Sequence, residues 1–195
     1  GEFVYVQPGA IIKSDAATIT VEGDLMLDGA AFRPATFTAI SDDSAGGDTN
    51  GDGDLTQATR GGGTRIHVTT GWLWVSQAEV RYAAIESDDT ASSLTIDHLK
   101  TIDAGPQTWR SSGWISVGAT TISGSATDPL EASLSLDAAS GITLDSSVVN
   151  DGGRGLYARS TGDLSITNNT IRGGSWWSSA ADLRAGPCSR SSSSS

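Results

Sequence analysis

Lysine and glutamate are scarce in this sequence. Lysine occurs only at Lys13 and Lys100, and glutamate is far less common than aspartate. Long exposed helices usually depend on both residues, because both have high helix propensity. Their shortage argues against an all-helical protein.

Cysteine is almost absent as well. The one cysteine, Cys188, lies in the segment 178–195, which loses the pattern of the preceding chain and ends in a run of serines. We interpret 178–195 as vector-derived sequence and residues 1–3 (Gly-Glu-Phe) as the translation of a restriction-site scar. The remaining residues, 4–177, then contain no cysteine, which excludes a disulfide framework and a Cys/His metal site.

Basic stripes and long apolar runs are missing too. The net charge is −11, and no stretch of basic residues could follow a phosphate backbone, so we expect no nucleic-acid partner. No run reaches the roughly 18 apolar residues of a membrane span. An acidic surface favours solubility, divalent cations and basic partners.

The chain is instead rich in glycine, serine, threonine, alanine and aspartate. Its apolar residues form a repeat. Alternating apolar pairs recur about every 22 residues, with one wider gap that leaves room for a coil near Trp114, Ile115 and Val117. The alternation places each pair on the inward side of a short strand. The pairs are Trp72 and Trp74, Leu94 and Ile96, Ile142 and Leu144, and Leu164 and Ile166.

Turn-forming residues separate the strands, as in the Asn-Asp-Gly-Gly of 150–153 and the Ser-Thr-Gly-Asp of 160–163. A coil of about 22 residues at ~3.3 Å each has a perimeter near 70 Å, enough for three short sides around a core, and coils would stack ~4.8 Å apart. We therefore predict an all-β chain, a right-handed parallel β-helix over 4–177 that is truncated at both ends and carries an Asp-rich insertion at 41–63.

A leucine-rich repeat is the competing interpretation. Leu164, Ile166, Asn169 and Ile171 fit its LxLxxNxL fragment. The segment that returns toward them, GLYARSTG, has the pattern of another strand and turn, whereas a leucine-rich repeat would need a helical stretch there. The β-helix is therefore favoured.

Several segments resemble a known group of proteins. VYVQPGAIIKSDAATITVEGDLMLDG (4–29), ATFTAISDDSAGGDTNGDGD (35–54), WLWVSQAEVRYA (72–83) and SITNNTI (165–171) are similar to coils of bacterial right-handed β-helix repeat proteins of the pectate-lyase-like superfamily. The resemblance implies the fold and an extracellular or cell-surface location. It leaves the activity open, because the group consists mostly of large secreted or surface proteins of unknown function, some of them adhesive.

The segment Asp48-Thr49-Asn50-Gly51-Asp52-Gly53-Asp54 has the spacing of a calcium loop. Oxygen ligands stand at loop positions 1, 3 and 5 and glycine at position 6, as in the first half of an EF-hand loop. Thr59 stands where that loop needs glutamate, so another carboxylate must complete the site. We predict calcium as the cofactor; the alternative is a polar insertion that binds nothing. The predicted ligands are Asp42, Asp43, Asp48, Asn50, Asp52 and Asp54.

Tryptophan is the other candidate for binding, because exposed aromatic rings stack on sugar faces and anchor interfaces. Trp72 and Trp74 share the alternation of Leu94 and Ile96, so we expect them in the core. Trp109 and Trp114 flank a turn, and we predict that they are exposed and bind a ligand.

Catalytic residues cannot be assigned from the sequence. The acidic cluster at Glu86, Asp88 and Asp89 has the pattern of a solvated turn, and His67 and His98 that of surface histidines. The preferred hypothesis is a non-catalytic structural or binding module of an extracellular bacterial protein, calcium-stabilised and directed at a polysaccharide or cell-surface component.

Two alternatives stay open. One is a polysaccharide lyase or glycoside hydrolase-like enzyme, in which an arginine on one coil would lie near an aspartate on another; the arginines considered are Arg81, Arg110, Arg154 and Arg159. The other is a self-assembling module that stacks end to end through unpaired strand edges.

Overall fold

The computed structural model describes residues 2–53, 55–123, 132–150 and 155–172, and the backbone of three short strands beyond residue 176. This part of the chain contains nineteen strands and no helix. The strands are β1 Glu2–Val6, β2 Ile11–Ser14, β3 Thr18–Asp28, β4 Ala35–Ala39, β5 Arg65–Arg81, β6 Ala84–Ser87, β7 Ala91–Ile102, β8 Gln107–Ser111, β9 Trp114–Gly118, β10 Thr121–Ile122, β11 Leu134–Ala138, β12 Gly141–Asp145, β13 Val148–Val149, β14 Leu156–Ser160, β15 Asp163–Thr167, β16 Thr170–Arg172, β17 Trp177–Ser179, β18 Asp182–Ala185 and β19 Ser189–Ser191.

The strands pair in parallel from one coil to the next. In the later coils each turn of the chain supplies three short strands. Thus β8, β11 and β14 pair side by side, as do β9, β12 and β15, while β10, β13 and β16 form the third set. The predicted all-β class and the stacking of parallel coils are confirmed. The segment 156–160, which a leucine-rich repeat would need as helix, is strand β14.

The core is a set of inward columns that run through the stack. Leu73, Leu94, Ile115, Ile142 and Leu164 lie in register, one per coil, and none is more than 1% exposed. Each such side chain contributes about 1.5–3 kcal/mol by burial. Because every coil covers the apolar side of its neighbours, no coil is stable alone.

The expectation that Trp72 and Trp74 lie in this core is wrong. Their register partners are Ser93 and Thr95, while Leu73 pairs with Leu94. The register shifts between Gly71 and Trp72, where Gly71 has a φ of 76° that favours glycine. This irregularity turns both indoles outward.

One corner of the coil repeats a left-handed residue. The left-handed residues are Gln77, His98, Ala119, Ser146 and Asn168. The φ values of these residues lie between 44° and 55°, and each residue follows a member of one register column, Ser76, Asp97, Gly118, Asp145 and Thr167. A single residue in this conformation lets the chain turn sharply into the next side of the coil. Since only one of the five is asparagine and none is glycine, the sequence gives little sign of this corner.

The described residues contain no helix long and apolar enough to cross a membrane.

Candidate functional site

An acidic cluster lies in the segment between β4 and β5. Carboxylate oxygens of Asp43, Asp48 and Asp52 all lie within 4.8 Å of one another. Asp48 is exposed, and the other two are half-buried. Three carboxylates this close repel one another unless a cation or hydrogen-bond donors neutralise them.

Asp48 is held by the backbone of its own loop. Its Oδ1 accepts a hydrogen bond from the Gly51 nitrogen at 2.7 Å, and its Oδ2 accepts one from the Gly53 nitrogen at 2.9 Å. These bonds, that from Gly53 first and that from Gly51 next, hold the pKa of Asp48 below its ordinary value. Gly51 and Gly53 both have positive φ, which lets the chain fold back around the carboxylate.

Asp52 leaves one buried oxygen without a hydrogen-bond partner. Its Oδ2 accepts hydrogen bonds from Asn50 Nδ2 at 2.9 Å and from the Thr56 hydroxyl at 2.5 Å. Its Oδ1 is buried and accepts none. A buried carboxylate oxygen without a donor costs free energy, and a bound cation would remove that cost.

Asp42 lies outside this cluster, contrary to its predicted role as a metal ligand. It is 4% exposed, and its Oδ2 accepts hydrogen bonds from Arg81 Nε at 2.7 Å and Thr38 Oγ1 at 2.6 Å, while Oδ1 accepts one from Ser44 Oγ at 2.5 Å. Burial raises the pKa of Asp42, but the bonds from Ser44, Thr38 and Arg81 outweigh it and lower the pKa. Because both oxygens are already engaged, Asp42 anchors the insertion to β5.

Asn50 and Asp54 are the remaining predicted ligands. Asn50 lies in the same loop and donates its amide to Asp52 and to Thr56 Oγ1 at 3.0 Å. Asp54 lies outside the described residues. Of the predicted set, the structure therefore brings together the carboxylates of Asp43, Asp48 and Asp52, with Asn50 beside them.

The predicted exposure of Trp109 is wrong. Trp109 is fully buried in β8, in register with Leu136 of the next coil, and its Nε1 donates a hydrogen bond to the Ile85 carbonyl at 3.0 Å. The sequence interpretation failed because the other inward residues of β8, Gln107 and Ser111, are polar and hide the strand pattern. No face of this indole is accessible to a ligand.

Trp114 is exposed, as expected, and it shares its surface with Trp74, which the sequence analysis assigned to the core, and with Tyr5. Trp114 is 48% exposed on the outward side of β9. Trp74 is 43% exposed and Tyr5 is 50% exposed on the outward sides of β5 and β1, which belong to the same stacked set. The sequence also allows the opposite alternation, with Leu73 and Val75 inward, and that alternation would have placed Trp74 on the outward side.

A groove of about 590 Å³ lies on another side of the stack, lined by residues that include Asp89, Arg110, Asp137 and Arg159. Arg159 binds both carboxylate oxygens of Asp137, with its Nε 3.1 Å from each. The hydrogen bond and charge of Asp137 raise the pKa of Arg159, which opposes a role as proton-abstracting base.

Arg81 and the two histidines, also considered for catalysis, have carboxylate partners. Arg81 is bound to Asp42 and to Glu79, and Arg154 lies outside the described residues. Nε2 of His67 lies 2.9 Å from Asp88, and Nδ1 of His98 lies 2.7 Å from Asp97. Both histidine pairs are partly exposed on the surface.

Comparison of the chain with protein-family models, with curated proteins and with solved structures finds no match.

Proposed function

We propose that this chain is a non-catalytic binding module of an extracellular or cell-surface bacterial protein, and that it binds a polysaccharide. The observation that carries the proposal is the exposed Trp114 on an outward sheet face together with Trp74 and Tyr5. Aromatic rings so exposed on a rigid sheet are characteristic of surfaces that bind ligands through stacking.

The proposal includes a right-handed parallel β-helix of the pectate-lyase-like type. The parallel pairing of successive coils supports it, as does the repeated left-handed corner. Right-handed crossover between parallel strands is the general rule. The extracellular location follows from the resemblance of the sequence to secreted β-helix repeat proteins.

Calcium is the proposed cofactor, and the chemistry of the acidic cluster fits it. Asp43, Asp48 and Asp52 offer the hard oxygen ligands that calcium prefers, and the buried Oδ1 of Asp52 has no hydrogen-bond donor. Bound calcium would neutralise the repulsion between the carboxylates and order the insertion. With few protein ligands, the affinity belongs to the weak extracellular range, about 10⁻⁴–10⁻³ M.

Thermal unfolding tests the calcium site. We expect millimolar calcium to raise the melting temperature by a few degrees relative to chelator, since a ligand that binds only the folded state stabilises it. Asp52→Asn should abolish the rise, whereas Asp163→Asn, an exposed aspartate on β15, should retain it. Identical melting curves of the unaltered protein in calcium and in chelator would refute the site.

Binding and product analysis with polysaccharides test the function itself. Pull-down with insoluble polysaccharides, together with assays for unsaturated or shortened products, separates a binding module from an enzyme. Retention without products is the expected result. Release of products would favour the lyase or hydrolase-like alternative, and retention by none of the polysaccharides would refute the proposal.

End-to-end self-association is a second candidate, favoured by one observation. Val4 and Ile19 lie in register with the core residues Leu25 and Ile66, yet they are 42% and 39% exposed. An uncovered coil of this kind can pair with another sheet edge. Light scattering should then give a mass that rises with concentration, and Val4→Lys should suppress that rise; a constant mass would exclude this candidate.

A further inference from the structure

The outward side of the first coils carries a continuous aromatic surface, here called the aromatic face. It comprises Phe3, Tyr5, Met26, Trp72, Trp74 and Trp114. The Phe3 ring stacks on Tyr5, with ring centroids 6.5 Å apart, and lies 5.8 Å from the Trp72 ring. Tyr5, Met26 and Trp74 lie in register on β1, β3 and β5, so they form one column across three strands. Trp72 lies two residues before Trp74 on β5, and so begins a parallel column.

The large rings on this face recur at every second strand. Trp72 pairs with Ser93 on β7, and Ser93 lies beside Trp114 on β9, because the following residues Leu94 and Ile115 are in register. The backbone positions of Trp72 and Trp114 are therefore two strand spacings apart, about 9.6 Å, and the same backbone separation holds between Tyr5 and Trp74. Met26 lies between Tyr5 and Trp74 and Ser93 lies between Trp72 and Trp114, while Trp74 and Trp114 are 43% and 48% exposed.

The position of the Trp114 ring is defined by a glycine. Gly141 is the register partner of Trp114, and a Cβ atom at Gly141 would lie 2.2 Å from the indole Cζ3. The indole therefore occupies the space of the absent side chain. Such a preset ring loses little conformational freedom when a ligand stacks on it.

Carboxylates flank the rings on one side. Asp28, Asp97 and Asp145 occupy one outward column, two residues beyond the column of Met26 and Trp74 on each strand. The hydroxyl of Tyr5 donates a hydrogen bond to Asp28 Oδ2 at 3.2 Å. Carboxylates accept hydrogen bonds from sugar hydroxyls but repel sugar carboxylates, and the chain as a whole carries a net charge of −11.

From these contacts we infer that the aromatic face binds an uncharged, extended glycan chain that lies along the stacking axis, across the strands. The CH faces of the sugars stack on Trp74 and Trp114, and their hydroxyls donate to the aspartate column. This inference rests on the proposed function, and it names the ligand class and the face.

Pull-down with microcrystalline cellulose, chitin and immobilised polygalacturonate, each with the purified full chain, tests the inference. We expect retention on a neutral polymer and none on polygalacturonate. Trp74→Ala and Trp114→Ala should each weaken binding about 3- to 10-fold. Phe32→Ala is the matched control, since Phe32 is 98% exposed in a turn outside the aromatic face, and it should bind as the unaltered chain does.

The outcomes separate this inference from the function on which it rests. If both tryptophan variants bind a neutral polymer as well as the unaltered chain does, the aromatic face is not the binding surface. The proposal of a binding module would still stand. Preference for polygalacturonate would overturn the neutral ligand class. Retention by none of the polymers overturns both the proposed function and the inference. Self-association that depends on the tryptophans, without glycan binding, also overturns both. Circular dichroism of each variant distinguishes lost binding from lost folding.

Discussion

The side-chain amide of Asn169 links two coils by hydrogen bonds. Its Oδ1 accepts a hydrogen bond from the Ser147 backbone nitrogen at 2.8 Å, and its Nδ2 donates one to the Leu144 carbonyl at 2.7 Å. Asn169 is 2% exposed, so these bonds form away from water. At the corner between β12 and β13, the amide thus supplies partners to a buried backbone nitrogen and a buried backbone carbonyl.

Replacement of Asn169 by alanine should therefore destabilise the stack. Two buried backbone groups would lose their partners, which costs about 1–3 kcal/mol for each group left unsatisfied. Urea unfolding followed by circular dichroism measures the loss. Ser165→Ala, on the outward side of β15, serves as control and should change the free energy of unfolding by less than about 0.5 kcal/mol. Equal stability of Asn169→Ala and the control would show that water replaces the amide.

The sequence predicted the stacking because the inward residues of the later coils are aliphatic. Leu94 and Ile96, Ile142 and Leu144 were assigned inward, and the register places them there. The assignment failed at Trp72, where the run Trp-Leu-Trp-Val is apolar on both sides of the strand. Alternation cannot then choose a side, and the choice depends on the irregularity at Gly71.

The candidate site was harder to predict than the fold, since its residues depend on contacts between distant segments. The spacing of Asp48 and Asp52 was visible in the sequence, and both belong to the acidic cluster. The role of Asp42 was not visible, because its partner Arg81 lies 39 residues away. Likewise Trp109 is buried by β11 of the next coil, which its own neighbours do not reveal.

Acid should destabilise the fold, in part through Asp42. Its pKa is lowered in the folded state, so its contribution is present above the unfolded value of about 3.9 and is lost as pH falls through the folded pKa. Asp48 and Asp145 act in the same direction, since their pKa values are also lowered. We expect stability to fall below about pH 4.

The substitution Asp42→Asn measures how much this one carboxylate contributes to the free energy of unfolding. At neutral pH the variant should be less stable by about 1.5–3 kcal/mol, the usual range for a hydrogen bond to a charged group. The difference from the unaltered protein should shrink in acid, where Asp42 itself becomes protonated. Urea titrations at pH 7 and pH 3 measure both values, with Asp89→Asn, an exposed turn residue, as control. A difference that stays constant with pH would contradict the role of the Asp42 charge.

Ala119 offers a test of the left-handed corner. It has a φ of 44° and is exposed, so its methyl group adds strain at this corner without a compensating buried contact. The left-handed conformation costs a residue with a Cβ about 1–2 kcal/mol, whereas glycine adopts it freely but gains entropy in the unfolded chain. Ala119→Gly should therefore raise the free energy of unfolding by up to about 1 kcal/mol.

The matched control is Ser116→Gly, an exposed position three residues earlier in the extended strand β9. There glycine relieves no strain, and its greater freedom in the unfolded chain should lower stability by about 0.5–1 kcal/mol. Opposite signs for the two substitutions in urea unfolding are the expected result, because the unfolded-state effect is common to both and only the corner differs. If both variants lose stability equally, the corner at Ala119 is not left-handed, and the tight turn that closes each coil there must be built in another way.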